Sequence, residues 1–300
     1  MSDWPVGLST GCFSLISIFE CLETISRGGF NIVEICSFPA HLNYHDGDMV
    51  ARAARRVEEL GMEAYSFHAP FADHIDISSR DVGIRQQALA EIVRAAEAAA
   101  TFQVRYFVIH PGPEHWDLKE QEERLDRLKW AAETLNRVTE RCRELAIGCV
   151  LENKLPHLLF AQTSDLLWIL TTLDTLEVGV CLDTGHANLS GDIYSVMHKL
   201  GRHLRMVHAH DNHGRGDEHL APGAGNINWN RVLTELERTG FRGGFILELA
   251  GMADAQHLLA EARKSKRLLR DIGRRLALSH PPTWRADPPD SYVPGLAATE

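Results

Sequence analysis

The sequence predicts an α/β chain of the (β/α)8 TIM-barrel type, built as a single domain, and three observations carry that expectation. Short apolar runs alternate with longer amphipathic stretches along nearly the whole chain. The runs are continuous and bounded by turn residues, as in parallel strands that helices cover. Most informative is how they finish: the runs ending at His68, His110, Glu152, Asp183, His208 and Glu248 all stop at a histidine or a carboxylate. One polar strand end is ordinary, but a whole set needs a common cause, and a polynuclear site at the carboxyl ends of a barrel supplies it.

Residues 6–9 read as the first strand, and 17–27 as a helix stopped by Gly28-Gly29. Residues 31–37 are strand two. Glu34 alternates there with Val33 and Ile35, so it points into the barrel, toward a buried cation or a substrate hydroxyl. A charged amphipathic helix over 48–60 closes at Gly61, and strand three over 62–69 breaks at Pro70. Alanine-rich 80–101 is a long helix by propensity, leading into strand four, 104–110, and the breaker Pro111-Gly112-Pro113. A helix over 118–145 precedes strand five, 147–152. Thr163 or Ser164 can cap the next helix, which ends near Asp174. Strand six, 178–183, a helix over 192–200 and strand seven, 204–210, follow. The connection 211–228 is the longest, carries four glycines and no apolar periodicity, and should fold over the site. A helix over 229–239, strand eight over 244–249 and a last helix over 254–276 complete eight alternations, with no strand left for an open sheet. The barrel is thus assigned to residues 1–279, and the proline-rich 280–300 to a C-terminal arm on the surface or against a partner subunit in a homo-oligomer.

Composition narrows the function. With 44% hydrophobic and 24% charged residues the 300-residue chain is an ordinary globular protein, and no run approaches the roughly 20 apolar residues of a membrane span. The first residues show no basic-then-apolar leader, so a cytoplasmic location is expected. Six scattered cysteines without C-x-x-C spacing read as reduced structural thiols. A formal charge of -10 disfavours a phosphate-tracking surface, so no nucleic-acid partner is expected and a small molecule is.

Glu152, Asp183, His208 and Glu248, ending strands five to eight, suit a divalent ion such as Zn²⁺, Mn²⁺, Co²⁺ or Mg²⁺. His68, His110 and His186, with Asp217 and His219 from the long loop, add an imidazole-rich set matched to Zn²⁺. Their alternative reading is as outer groups or substrate contacts around one ion; the cofactor expectation is one divalent ion, with two or three as the alternative. His210 shares the face of His208 and is a spare ligand or a loop partner. Arg215 could hold a substrate phosphate or carboxylate, or be a solvated loop arginine.

The motifs FHAP, IHPG, LEN, LDTGH, HAHD, DEH and LEL, taken together, resemble those of the xylose isomerase-like barrel superfamily over nearly the whole chain. That superfamily includes sugar and sugar-phosphate isomerases and epimerases, and also endonuclease IV, a trinuclear zinc enzyme. The resemblance implies a metal quartet at Glu152, Asp183, His208 and Glu248. Its endonuclease IV side adds His68, His110, His186, Asp217 and His219. Two departures stand out: the family's frequent GEG is Gly223-Ala224-Gly225 here, and Lys154-Leu155-Pro156-His157 follows LEN without a glycine-rich stretch. The implied activity is a metal-dependent isomerase or epimerase of a sugar or sugar phosphate that works through an enediolate, with Glu152 and Glu248 as base and acid and His186 orienting a substrate hydroxyl. The alternative is a di- or trinuclear zinc phosphodiesterase.

Overall fold

The computed structural model describes residues 4–116, 122–251 and 254–279. The expected C-terminal arm and the first residues of the helix expected from 118 lie outside them. Eight parallel strands close into a barrel in chain order. They are β1 (Val6–Ser9), β2 (Ile32–Cys36), β3 (Glu63–His68), β4 (Tyr106–Ile109), β5 (Gly148–Glu152), β6 (Gly179–Asp183), β7 (Leu204–Ala209) and β8 (Phe245–Leu247). Closure is made by β1 against β8, with Val6 opposite Phe245 and Leu8 opposite Leu247.

The intervening helices are α1 (Ile18–Arg27), α2 (Gly47–Glu59), α3 (Val82–Thr101), α4 (Arg124–Glu144), α5 (Thr163–Thr172), α6 (Thr184–Leu189), α7 (Ile193–Leu200), α8 (Trp229–Arg238) and α9 (Ala255–Ser279). Several start on side-chain caps legible in the sequence: Ser17, Asp46, Asp81, Asp192 and Asn228 each accept a backbone N–H of the first turn. Two expectations are corrected. The N-terminal cap of α5 is Gln162, which makes no side-chain capping bond, so neither Thr163 nor Ser164 fills that role. Among the described residues there is also one α-helix more than the eight helices expected, because α6 begins directly at the tip of β6, where Asp183 is both strand end and cap and accepts the His186 N–H at 2.7 Å.

Strand alternation sets the inner architecture. Inside the barrel Tyr65, Val108, Val150, Cys181, Met206 and Ile246 pack as one apolar cluster, separate from the main core between sheet and helices. Two residues further along five of these strands stand His110, Glu152, Asp183, His208 and Glu248. A period of two places them on the same inward face, one layer nearer the mouth. The apolar layer closes the barrel beneath them, so the polar layer opens only toward the carboxyl ends. All six cysteines are free and buried. Among the described residues no helix is long and apolar enough to cross a membrane.

Candidate metal centre

At the carboxyl-terminal mouth a pocket of about 340 Å³ is lined by His68, His110, Glu152, His186, Asp217, His219 and Glu248, with Phe38, Phe71, Leu155 and Leu158 among its apolar walls. Glu152, Asp183, His208 and Glu248 each offer one ligand atom within 4.8 Å of the others. Glu152 Oε2 lies 3.2 Å from His208 Nδ1, and Glu248 Oε2 lies 3.5 Å from the same nitrogen. Both Glu152 Oε2 and His208 Nδ1 are buried without a hydrogen-bond partner among the described residues. Leaving such groups unsatisfied costs roughly 1 to 3 kcal/mol each, more when charged, so their convergence at one point asks for an occupant. The donor set, three carboxylates and one imidazole, fits a divalent cation.

The histidines are arranged with one ring nitrogen tethered and the other facing the site. His68 donates Nδ1–H to its neighbour's carbonyl, Ala69 O, at 2.8 Å, His186 to Asn153 O at 2.8 Å, and His219 to Glu248 O at 3.0 Å. His110 donates Nδ1–H to the Glu114 carboxylate at 2.7 Å. In each case Nε2 turns toward other ligand atoms, as expected where one ring nitrogen is tethered so that the other can bind. His208 is reversed: its Nε2 sits 3.0 Å from Glu34 Oε2 and its Nδ1 faces the carboxylates.

A second group lies beside the first. His186, His210, Asp217 and His219 also bring ligand atoms within 4.8 Å of one another, and His68, Glu152 and His208 form a third such set. The loop 211–228 delivers Asp217 and His219, and it does so around Asp211. That carboxylate accepts bonds from the backbone of Asn212, Gly223 and Ile227 and from Trp229 Nε1, at 2.9 to 3.1 Å. Gly225 is required there, since a Cβ would collide with the Asp211 carboxylate and the Asn212 backbone. Gly185 has a similar role: any side chain would meet the His210 ring, which reaches over α6 to bond Asp183 at 2.8 Å and stacks on His219 with ring centres 3.8 Å apart.

The charges interlock. Burial opposes ionisation of Glu152, yet His208 and His110 hold it well below the usual carboxylate range. Burial also works against Glu34, which His208 and His68 nevertheless keep at about 2. Glu248 is pushed the other way, by burial and by the carboxylates of Glu34 and Glu152, against the pull of His208. Burial lowers the imidazoles, but Glu152 beside His68 raises it to about 9 and Asp183 beside His186 raises that ring to about 10. Imidazolium charge thus balances the buried carboxylates, a job that a metal cation would equally do.

Two expected substrate contacts are placed elsewhere. Glu34 is fully buried, bonded to Ser9, Ser66 and His208, and stands behind His208 instead of lining the pocket. Its position on the far side of the His208 ring from Glu152 and Glu248 is the reason. Arg215 is exposed and lines no part of the pocket. His110 lines the pocket but joins none of the groups that bring ligand atoms together. Three contributors carry little sequence signal: His210 was legible only as a face-mate of His208, while Glu114 and Lys154 follow turn residues and no periodic pattern marks them.

Fold and site together define a (β/α)8 barrel with carboxylates and imidazoles gathered at its carboxyl-terminal mouth. The family model described as xylose isomerase-like TIM barrel matches residues 22–272, and the chain belongs to that family. It is 31% identical over 284 residues to uncharacterized protein MJ1311 of Methanocaldococcus jannaschii, covering 90% of this chain and 91% of that protein. Among solved structures it is similar to a D-tagatose 3-epimerase-like protein, with a TM-score of 0.80 and 27% identity over 92% of this chain and 99% of the other. The D-psicose 3-epimerase of Clostridium cellulolyticum H10 shares the fold, with a TM-score of 0.76 at 18% identity over 89% of this chain and 99% of that one.

Proposed function

We propose that this chain is a metal-dependent sugar isomerase or epimerase that moves a proton on a carbon next to a carbonyl. The observation carrying the reading is the pair Glu152 and Glu248, whose oxygens flank His208 Nδ1 at 3.2 and 3.5 Å on the floor of a pocket sized for a small molecule. The 27% identity with a D-tagatose 3-epimerase-like protein supports the substrate class. Glu152, Asp183, His208 and Glu248 would hold the ion, which when bound supplies Lewis acidity toward a neighbouring carbonyl oxygen. The two glutamates then divide the proton work. Their surroundings push them apart, Glu152 down and Glu248 up, which is how one site assigns base and acid roles to two like groups. Glu152 takes the carbon-bound proton, and Glu248 returns one. His186, tethered through Nδ1 to Asn153 O with its Nε2 turned into the pocket, hydrogen-bonds a substrate hydroxyl and orients the sugar.

The test is a survey of ketoses and ketose phosphates in heavy water, followed by NMR. Deuterium entering a carbon beside the carbonyl supports the reading, and an absence of exchange with every sugar removes it. A second reading, a zinc phosphodiesterase with two or three ions, is favoured by one observation: the separate group His186, His210, Asp217 and His219. Two or three zinc ions per chain, with cleavage of model phosphodiesters, would put this reading first.

A further inference from the structure

Three of the histidines facing the pocket hang on backbone carbonyls, which the barrel itself fixes. His110 differs. Its Nδ1 tether is a side chain, Glu114, on a turn after β4. A carboxylate on a turn would swing unless something held it, and Lys154 holds it. The Lys154 side chain is 1% exposed, and its Nζ bonds Glu114 Oε1 at 2.6 Å, Pro113 O at 2.7 Å and Gly112 O at 3.0 Å. An ammonium has three N–H donors, and all three are spent on this one turn. The turn is pinned from a second side, since Phe160 leaves no room for a Cβ on Gly112. Glu114 Oε1 stands at the centre of the arrangement, accepting from Lys154 Nζ at 2.6 Å and from His110 Nδ1–H at 2.7 Å.

We propose that Glu114 and Lys154 are positioning residues for His110. Lys154 clamps the Gly112–Glu114 turn, and Glu114 fixes the imidazole with Nδ1 protonated and Nε2 directed into the pocket, 3.5 Å from Glu152 Oε2. His110 Nε2 is thereby an oriented acceptor for a hydroxyl at the Glu152 end of the substrate. A corollary concerns substrate charge. Lys154 is the one lysine or arginine among the described residues lining the pocket, and with every N–H committed it has none for a phosphate. A phosphate in the pocket would therefore have to pair with the imidazoles or the ion and not with Lys154.

The experiment uses full-length protein labelled with ¹⁵N-histidine, Glu114→Ala and Lys154→Met. The hydroxyl-binding and substrate-charge parts rest on the isomerase reading; the ring geometry does not. In wild-type protein without metal, the ring spectrum of His110 should show the proton on Nδ1 and a free Nε2, and Glu114→Ala should abolish that preference. A proton on Nε2 in wild type, or a ring unchanged by Glu114→Ala, overturns the proposal. Glu114 is partly exposed, so this variant should fold even if Lys154→Met, which strands two carbonyls and a carboxylate, does not. With a sugar that wild type turns over, Glu114→Ala should raise KM about five- to tenfold, the worth of one oriented hydrogen bond, with a smaller change in kcat. An unchanged KM overturns the role in substrate binding. Inorganic phosphate titrated into metal-free protein should not bind at Lys154, whereas saturable binding lost in Lys154→Met would make Lys154 an anion site instead. If no sugar is turned over, the isomerase reading fails by itself while the ring spectra still decide the positioning role.

Discussion

Asp183 and His208 stand at strand tips with side chains fully buried, whereas Asp217 and His219, in the connection after β7, keep 25% and 30% of theirs exposed. The first pair is placed by the barrel: neighbouring strands align Asp183 with His208, and the apolar layer two residues below fixes their height. The second is placed by one carboxylate, Asp211, which gathers the loop around itself. His219 even adopts a left-handed backbone, φ 46°, and its ring is tethered to Glu248 O. A strand-borne site is insensitive to the loop, but the loop-borne one depends on both loop and barrel. Each of the following outcomes would sharpen or break that asymmetry.

The largest expected effect is on the strand-tip group Glu152, Asp183, His208 and Glu248. Glu248→Gln keeps an oxygen for the ion but removes the carboxyl that returns the proton, so the variant should retain metal and bind sugar while turnover falls by about 10² to 10⁴. A variant that loses its metal together with its activity would make Glu248 a ligand with no proton role. Next comes Asp183→Asn, which preserves shape and the cap on α6 but not charge. Metal affinity measured by competition with a chelator should drop by more than the roughly 10- to 100-fold of an outer-shell change, with the circular dichroism unaltered. Undiminished affinity would remove Asp183 from the ligand set.

Asp211→Ala should separate the two groups. It frees three backbone donors and the Trp229 indole, so the loop should become open to proteases and the thermal midpoint should fall, while the ion at the strand tips stays bound. Loss of that ion as well would show the two groups to be one cooperative unit.

The metal-free protein should respond to pH in a sense opposite to metal binding. His68 and His219 are raised to about 9 and His186 to about 10 by the carboxylates that outweigh burial. A pKa raised in the folded state stabilises fully below the unfolded value near 6.5 and is lost as pH rises through the folded one. Thermal stability of the metal-free form should therefore decline between about pH 6.5 and 10, while metal affinity rises over the same span because ligands must shed protons. A flat profile for the metal-free form would mean that the imidazolium pairs do not contribute.

The same contrast governs what the sequence could tell. Glu152, Asp183, His208 and Glu248 were legible because each ends an apolar run, and a period of two carries an inward apolar residue to an inward ligand. Alternation along the second strand gives the face of Glu34 and not its depth, so its place behind His208 is not accessible from the sequence. Helix α6 escaped because it is six residues long and borrows its cap from the ligand Asp183. Lys154 and Glu114 escaped for a different reason: their partnership joins turns about 40 residues apart, and no local pattern encodes it.

The smallest expected effect belongs to Arg215, and it is informative because this residue shares its loop with Asp217 and His219. Those two side chains line the pocket, but Arg215, two positions before Asp217, points to solvent, and loop residues gathered around Asp211 have little freedom to exchange places. A guanidinium in water contributes little to a fixed site, so Arg215→Ala should alter stability by no more than about 0.5 kcal/mol. KM for an unphosphorylated sugar should likewise stay within about twofold, because a change of that size is all such an energy yields. Steady-state kinetics with a ketose and its phosphate would check this. A KM raised tenfold for the phosphate alone would mean that the loop turns Arg215 inward on binding, and that the pocket accepts a charge which its resident groups do not pair.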